Sequence, residues 1–271
     1  MEIKAGRYMA QRYDDAYETL FYETTRKMVA EMAIGDARKM IKVLDVGCGT
    51  GNLTKYFSGR QNCTMVVGVD ISTDMLRIAN DKLEGVQFLA SAIEYLPFKD
   101  NSFDVVVGYS VLHHLPDVGK LFDQVVRVLK PHGSFVFGEP VESLLNGYKH
   151  LFRALKLPFY PLYVLAKKKN ARDLEVFHDV DFSAFSTGVH RYLSEKEIVD
   201  CIAKPYASKV SLQIKRLGIL SPWLGAVLFG SKYIDRLLFQ VVYYFDLILM
   251  RILPRGTSEV LISGKVEKGI V

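Results

Sequence analysis

The sequence predicts an α/β fold: a mostly parallel sheet with an antiparallel edge, covered by helices and completed by a helical cap. Three observations predict it. Short apolar segments alternate with amphipathic ones through the first half of the chain, which is the rhythm of a doubly wound sheet. The runs Met65-Val66-Val67-Gly68-Val69 and Val105-Val106-Val107-Gly108 carry no polar interruption, as strands buried on both faces require. A glycine-rich turn, Gly47-Cys48-Gly49-Thr50-Gly51, follows an earlier apolar segment, Lys42–Val46.

Taken in order, Tyr8–Ile34 has a helical pattern in which Tyr13, Tyr17 and Leu20 share a face, and it is expected to pack over the ligand edge of the sheet. Strands are expected at Lys42–Val46, Met65–Asp70, Val86–Leu89, Phe103–Tyr109 and Ser134–Gly138. Beyond residue 140 the rhythm changes. Leu144–Leu155 and Tyr160–Lys169 read as helices, and Arg172–Arg191 is polar, aromatic and irregular, so 141–192 reads as a cap or lid. Ser194 and Glu197 form a capping box that starts a further helix. Ser208–Leu217 and Ser258–Val266 read as two strands able to pair as an antiparallel edge. The organisation is therefore an N-terminal cap helix (1–39), a ligand-binding core (40–140), the cap (141–192) and a completing segment (193–271) that holds an apolar helical insert at 218–253.

A chain of 271 residues with 49% apolar content buries a full core. Cys48, Cys63 and Cys201 are too few and too scattered for a disulfide framework or a zinc site. Met1-Glu2-Ile3-Lys4 opens without the apolar run of a secretory signal. A cytoplasmic setting is expected, either in solution or peripheral at a membrane surface. The net charge of +5 is unevenly placed: residues 1–140 sum to −2 and 141–271 to +7. Such asymmetry suits either an anionic partner or an ordinary solvated basic face.

The sharpest signal is Asp45-Val46-Gly47-Cys48-Gly49-Thr50-Gly51. A glycine turn between strand and helix lets a ligand lie against backbone at the carboxyl edge of a sheet. Asn52 stands where a dinucleotide fingerprint would place its third glycine, and Asp45 would repel a pyrophosphate. A cationic ligand suits the turn better. About 20 residues further on, Asp70 ends the second strand, where a carboxylate accepts from ribose hydroxyls.

Four motifs in order, Val43–Gly51, Gly68–Ser72, Leu96-Pro97-Phe98 with Asn101–Val106, and Arg127–Gly133, resemble those of class I S-adenosylmethionine-dependent methyltransferases, among them the small-molecule enzymes related to quinone biosynthesis. The resemblance covers residues 40–140 and implies a Rossmann-like, seven-stranded methyltransferase sheet. It also implies S-adenosylmethionine as cofactor and S-adenosylhomocysteine as product. Asp45, Gly47 and Gly49 would line the methionine part, with Cys48 and Gly51 also among the cofactor-binding residues of the turn, Asp70 the ribose, and Ile71 and Met75 the adenine face. Where the family usually has an acidic residue for the adenine amino group, this chain has Ala92. That contact would fall to the backbone of Ala92 and Ile93, with Ser91 beside them. Tyr109, Ser110 and Val111 follow the fourth strand, where the family meets methionine and acceptor, and Tyr13 resembles a tyrosine that relatives fold over the cofactor.

Methyl transfer is an in-line displacement in which alignment supplies much of the acceleration, about 7–11 kcal/mol in good cases. His113 and His114 are the candidate bases for an acceptor that must lose a proton, against the blander reading of a family turn whose histidines pack locally. Of the two, His114 is the expected site contact. Glu139 is a further acceptor-side candidate. His178, Asp179, Asp181 and His190 read first as loop formers, second as acceptor contacts, and lack regular metal-ligand spacing. No metal is expected. Cys48 reads as a packing residue rather than a nucleophile.

Within the insert, Ile234–Leu253 is long enough to span a bilayer, but Asp235, Arg236, Gln240, Asp246 and Arg251 interrupt it. They share one arc of about 160°, which leaves Leu237, Leu238, Val241, Val242, Phe245, Ile248, Leu249 and Ile252 on the other side. Such a helix packs on its own sheet, forms a homodimer contact, or lies in a lipid interface with Trp223, Tyr233 and Arg255 near the headgroups. Core or dimer packing is the generic reading. The expected acceptor is a hydrophobic small molecule or lipid-linked compound, methylated on oxygen or carbon. Two other readings stand beside it: an RNA or protein methyltransferase, and a non-catalytic binding protein. Nucleic acid is not an expected partner, because no aromatic-interleaved basic motif is present.

Overall fold

The computed structural model describes residues 13–14, 20–36, 38–141, 192–206, 208–218, 241, 244–245, 248 and 259–267. Nearly all of the expected cap, with His178, Asp179, Asp181 and His190, lies outside them, as do Tyr17 and most of the apolar insert.

Five strands, β1 (Ile41–Val46), β2 (Cys63–Asp70), β3 (Gln87–Ala90), β4 (Phe103–Tyr109) and β5 (Leu129–Pro140), run parallel. Two more, β6 (Val210–Gly218) and β7 (Glu259–Val266), pair antiparallel and join β5 through β7. The order is β3-β2-β1-β4-β5-β7-β6. This is the expected mostly parallel sheet with an antiparallel edge. Strand order reverses between β1 and β4, and a crevice at such a switch point is where open α/β sheets bind ligands.

The period of two along each strand sorts side chains to the two faces. On one face Val43, Val105, Val107, Val136 and Leu261 meet Val29, Ala30, Ala33 and Ile34 of α1 (Leu20–Ile34). On the other, Leu44, Val106, Phe135, Phe137, Val260 and Ile262 join one core with residues of α3 (Val118–Val128) and α4 (Glu195–Tyr206). That core includes Phe122 and Val125 of α3 and Ile198 and Ile202 of α4. Each such apolar side chain, when fully buried, stabilises the fold by about 1.5–3 kcal/mol. α2 (Thr73–Lys82) packs on β2 and β3.

Local signals set the helix starts. The Asp117 carboxylate accepts from Gly119 N–H at 2.9 Å and begins α3. Ser72 accepts from Met75 N–H at 3.3 Å and begins α2. The expected capping box forms reciprocally: Glu197 N–H donates to Ser194 Oγ at 3.2 Å, and Ser194 N–H donates to Glu197 Oε2 at 2.8 Å. A cap of this kind is worth about 1 kcal/mol.

Two expectations need correction. β5 starts at Leu129 rather than Ser134: Leu129 pairs with Phe103, the register then shifts, and His132 takes a left-handed φ of 65° before pairing resumes at Ser134. α1 packs across β4 and β5 rather than only over the ligand edge, and just its early residues, such as Thr25, reach the end of β4.

Candidate functional site

The glycine turn leaves β1 at the switch point. Gly47 has φ +67°, and a Cβ there would stand 2.5 Å from Val111 Cγ2, so both conformation and space require glycine. Gly49 has φ +53°, with open space where a side chain would be. Backbone is therefore exposed on that side of the turn, as a ligand lying against it requires. Gly47 and Cys48 N–H groups donate to Val69 O at 2.8 and 3.0 Å, which ties the turn to the end of β2.

Asp45 is 1% exposed. Its Oδ2 accepts from Thr54 Oγ1 at 2.6 Å, but among the described residues nothing donates to Oδ1. Burial raises its pKa to about 7, assisted by the Asp70 charge and opposed by Thr54 and Arg26. An unmet acceptor in a buried carboxylate costs free energy unless a ligand satisfies it. Asp70 accepts from Gly49 N–H and Ser72 N–H, each at 2.8 Å, one on each oxygen. A carboxylate offers about four acceptor positions, so Asp70 both shapes the turn and retains capacity for hydroxyl donors.

Around this turn the other expected cofactor residues divide. Ile71 is exposed beside Asp70, while Met75 is buried in α2. The Ala92 carbonyl accepts from Tyr95 N–H at 3.1 Å and from Ser91 Oγ at 3.2 Å. Ser91 N–H in turn donates to Asp70 O at 3.1 Å, which ties this stretch to the end of β2. Cys48 is buried, and burial with the neighbouring Asp45 and Asp70 charges pushes its thiol well above the ordinary value. It packs, as expected, and is no nucleophile.

The second half of the site lies where β4 and β5 end. Ser110 takes a left-handed φ of 54°, an uncommon conformation for a residue with a side chain, and its N–H donates to Gly138 O at 2.8 Å. The turn this makes aims three successive amides at one carboxylate. Val111 and Leu112 N–H donate to Glu139 Oε2, both at 3.0 Å, and His113 N–H donates to Oε1 at 2.9 Å. His113 Nδ1 also hydrogen-bonds Glu139 Oε1. Glu139 is fully buried. The expectation that it meets an acceptor is therefore corrected: it anchors the turn. His113 is likewise buried against Glu139, whereas His114, stacked on it with ring centroids 4.0 Å apart, is only partly buried.

On the opposite face of the sheet, Tyr109 OH donates to Glu259 Oε1 at the start of β7 and shares a hydrogen bond with Thr25 Oγ1. Burial raises the Glu259 carboxyl to about 8. The Arg26 guanidinium lies over the rings of both Tyr22 and Tyr109, 5.7 and 5.3 Å from their centres, and the two rings meet edge to face. The phenol expected to meet methionine or acceptor is thus engaged in a buried polar cluster.

Residues 44–137 match the profile of a family described as Methyltransferase domain. These residues form a methyltransferase domain. The chain is 39% identical over 119 residues to the ubiquinone/menaquinone biosynthesis C-methyltransferase UbiE of Idiomarina loihiensis, covering 40% of this chain and 47% of that one. The demethylmenaquinone methyltransferase of Staphylococcus aureus is 32% identical over 153 residues, 53% of this chain and 62% of that one. The chain thus spans about half to three-fifths of the length of these curated relatives. A solved phosphoethanolamine N-methyltransferase 2 of Haemonchus contortus, bound to phosphomonomethylethanolamine and S-adenosylhomocysteine, shares the fold with a TM-score of 0.59 at 14% identity. That match covers 97% of this chain and 58% of that one.

In the methyltransferase domain and its flanks, sequence reasoning missed Asp14, Thr25, Arg26 and Glu259. Asp14 and Arg26 carry no motif. Glu259 did leave a trace, as a lone acid opening the apolar run Val260-Leu261-Ile262. Tyr13 is described beside Asp14 in helical conformation. Of the apolar insert, Val241, Tyr244, Phe245 and Ile248 are described, helical and 60, 67, 52 and 58% exposed. For these four, packing on the chain's own sheet does not occur. No helix of the described residues is long and apolar enough to cross a membrane.

Proposed function

We propose that this chain binds S-adenosylmethionine across the Asp45–Gly51 turn and methylates a hydrophobic small-molecule acceptor on carbon or oxygen. The observation that carries the reading is Asp45 Oδ1: a buried acceptor without a donor among the described residues, beside glycine backbone with open space in front of it. An ammonium group meets that need and a phosphate does not. The donor set fits S-adenosylmethionine along its length, with Asp45 for the ammonium, Asp70 for the ribose hydroxyls and exposed Ile71 for the adenine face. Bound there, S-adenosylmethionine supplies a methyl carbon made electrophilic by its sulfonium.

The chain's own residues hold and orient. Glu139 fixes the turn Val111–His113, and Val111 in turn packs on Gly47, so the cofactor side and the acceptor side are braced against each other. His114, the less buried of the two histidines, is the group placed to take an acceptor proton. A hydrophobic acceptor is supported by the quinone-directed names of the curated relatives. The exposed stripe Val241, Tyr244, Phe245 and Ile248 supports it too, since it has the spacing of one helix face and suits a lipid surface or a second copy of the chain.

The test is transfer of label from methyl-tritiated S-adenosylmethionine to reduced demethylated benzoquinones and naphthoquinones carrying a prenyl chain. Tritium should enter the organic phase and disappear with Asp70→Ala. Label that stays in water with every lipid acceptor, yet enters RNA or protein, would overturn the acceptor class.

A further inference from the structure

On the face of the sheet covered by α1, Asp45 and Tyr109 are neighbours. Asp45 is in register with Val107 of β4, and Tyr109 lies two residues further along that strand, so both side chains stand on the same face at the carboxyl edge. α1 buries Val29, Ala30 and Ala33 against this face. One turn before Ala30, the same side of the helix carries Arg26, which is only 4% exposed. A guanidinium costs free energy to bury, and an apolar side chain would pack there without that cost.

The arginine is held from several sides. Its Cζ lies 5.3 Å from the centre of the Tyr109 ring and 5.7 Å from that of Tyr22. The Tyr109 hydroxyl is tied in turn to Thr25 and to Glu259. The charge of Arg26 is felt by Asp45, by Glu259 and by the Tyr56 phenol. Asp45 itself faces Arg26 from α1, Asp70 at the end of β2, the Cys48 thiol of its own turn, and the Thr54 hydroxyl that donates to it. Burial is the main opposition to ionising Asp45 and the Asp70 charge adds to it, while Thr54 and Arg26 work the other way. Glu259 is the rival for the guanidinium. Burial, with the charge of Glu139, keeps a proton on it up to about pH 8. At neutral pH the rival is therefore mostly uncharged, and the field of Arg26 falls on Asp45 without competition from it.

We propose that Arg26 is the charge-setting residue of the glycine turn: from α1 it keeps Asp45 available as an anion near neutral pH, so that a cationic ligand meets a carboxylate rather than a neutral acid. The inference rests on S-adenosylmethionine being the ligand of that turn. Arg26 is a positioning residue here, since it acts through Asp45 and needs no contact with the reacting atoms. The hydrogen bonds of Tyr109 with Thr25 and Glu259 then have a use, which is to mount the ring beneath the guanidinium.

The test is isothermal titration of the whole chain with S-adenosylmethionine at pH 6.5 and 8.5, each variant being compared with wild type at the same pH so that the ligand's own amino group, which titrates near pH 8, cancels. Arg26→Met should bind about three- to tenfold more weakly than wild type at pH 6.5. At pH 8.5 the deficit should vanish or reverse, because Asp45 is then ionised without help and a cation near a cationic ligand has been removed. Recovery at the higher pH also shows that the variant is folded. Arg26→Gln should behave in the same way and takes the place of Arg26→Met if that variant does not fold. Arg26→Lys, which keeps the charge, should restore most of the affinity at pH 6.5. Wild-type affinity at both pH values in Arg26→Met overturns the charge-setting role while leaving the cofactor assignment intact. A deficit of the same size at both pH values makes Arg26 a structural residue or a direct contact of the ligand, and overturns that role as well. A wild-type chain that binds no S-adenosylmethionine overturns the cofactor assignment, and the role of Arg26 with it.

Discussion

Two buried carboxylates stand at the carboxyl edge of the same sheet and are used in opposite ways. Glu139, on one face, has both oxygens engaged by three backbone amides and an imidazole. Asp45, on the other face, has one oxygen on Thr54 and one without a donor among the described residues. Both are nearly inaccessible, so burial alone does not separate structure from function. What separates them is whether the acceptor capacity is spent. A satisfied buried charge stabilises the turn it holds, while an unsatisfied one is a cost that a ligand can remove.

The largest expected effect would break the comparison at its structural end. Glu139→Ala leaves three amides and His113 without their shared acceptor, and should cost about 3–5 kcal/mol in urea unfolding. A variant as stable as the wild type would show that Glu139 is not the anchor. Asp45→Asn tests the other end. Removing a buried charge with an open acceptor should leave the urea midpoint unchanged or raised, while S-adenosylmethionine affinity falls by about 1.5–3 kcal/mol in isothermal titration. Loss of stability without loss of affinity would make Asp45 another Glu139.

The smallest effect sharpens the comparison through protons. With its pKa raised to about 7, Asp45 is mostly protonated below that pH, and the neutral acid attracts a cation poorly. Cofactor affinity should therefore rise from pH 5.5 to 7.5 and level off above it, with up to about one proton released per cofactor below pH 7. Titration in buffers of different ionisation enthalpy measures that proton directly, and affinity flat across the range would show Asp45 uninvolved. The sign for folding is the reverse. Asp45 and Glu259, the latter raised to about 8, hold protons in the folded chain that the unfolded chain has lost above pH 4. They should make the ligand-free chain less stable as pH climbs towards 8.

Much of the fold was legible because strand burial leaves a periodic trace. Phe103–Tyr109 was read with its bounds intact, and Ser194 with Glu197 announced a helix start through chemistry confined to four residues. The antiparallel pair β6–β7 was legible for the same reason, though its strands are far apart in sequence. The glycine turn was legible because close backbone approach demands glycine. What was not legible depended on partners. Glu139 looked like a site residue because nothing in its neighbourhood announces that Val111, Leu112 and His113 will turn their amides towards it. Asp14 carried no sequence signal, because its partners Thr50, Asn52 and Lys82 lie 36, 38 and 68 positions away. The exposed stripe at Val241–Ile248 was read first as core or dimer packing, since sequence spacing shows that a face is apolar and not what covers it.

The position of β7 bears on how the chain is made. Its residues Glu259–Lys265 pair along the whole of Ser134–Pro140, with β6 on its far side, although β7 is synthesised after both of its neighbours. Until then β5 presents an open ladder of seven residues on one side, next to Phe135 and Phe137. A nascent or prematurely terminated chain would offer that ladder to any neighbouring strand, including another copy of itself. Synthesis through Lys265 is thus the event that covers this ladder of β5.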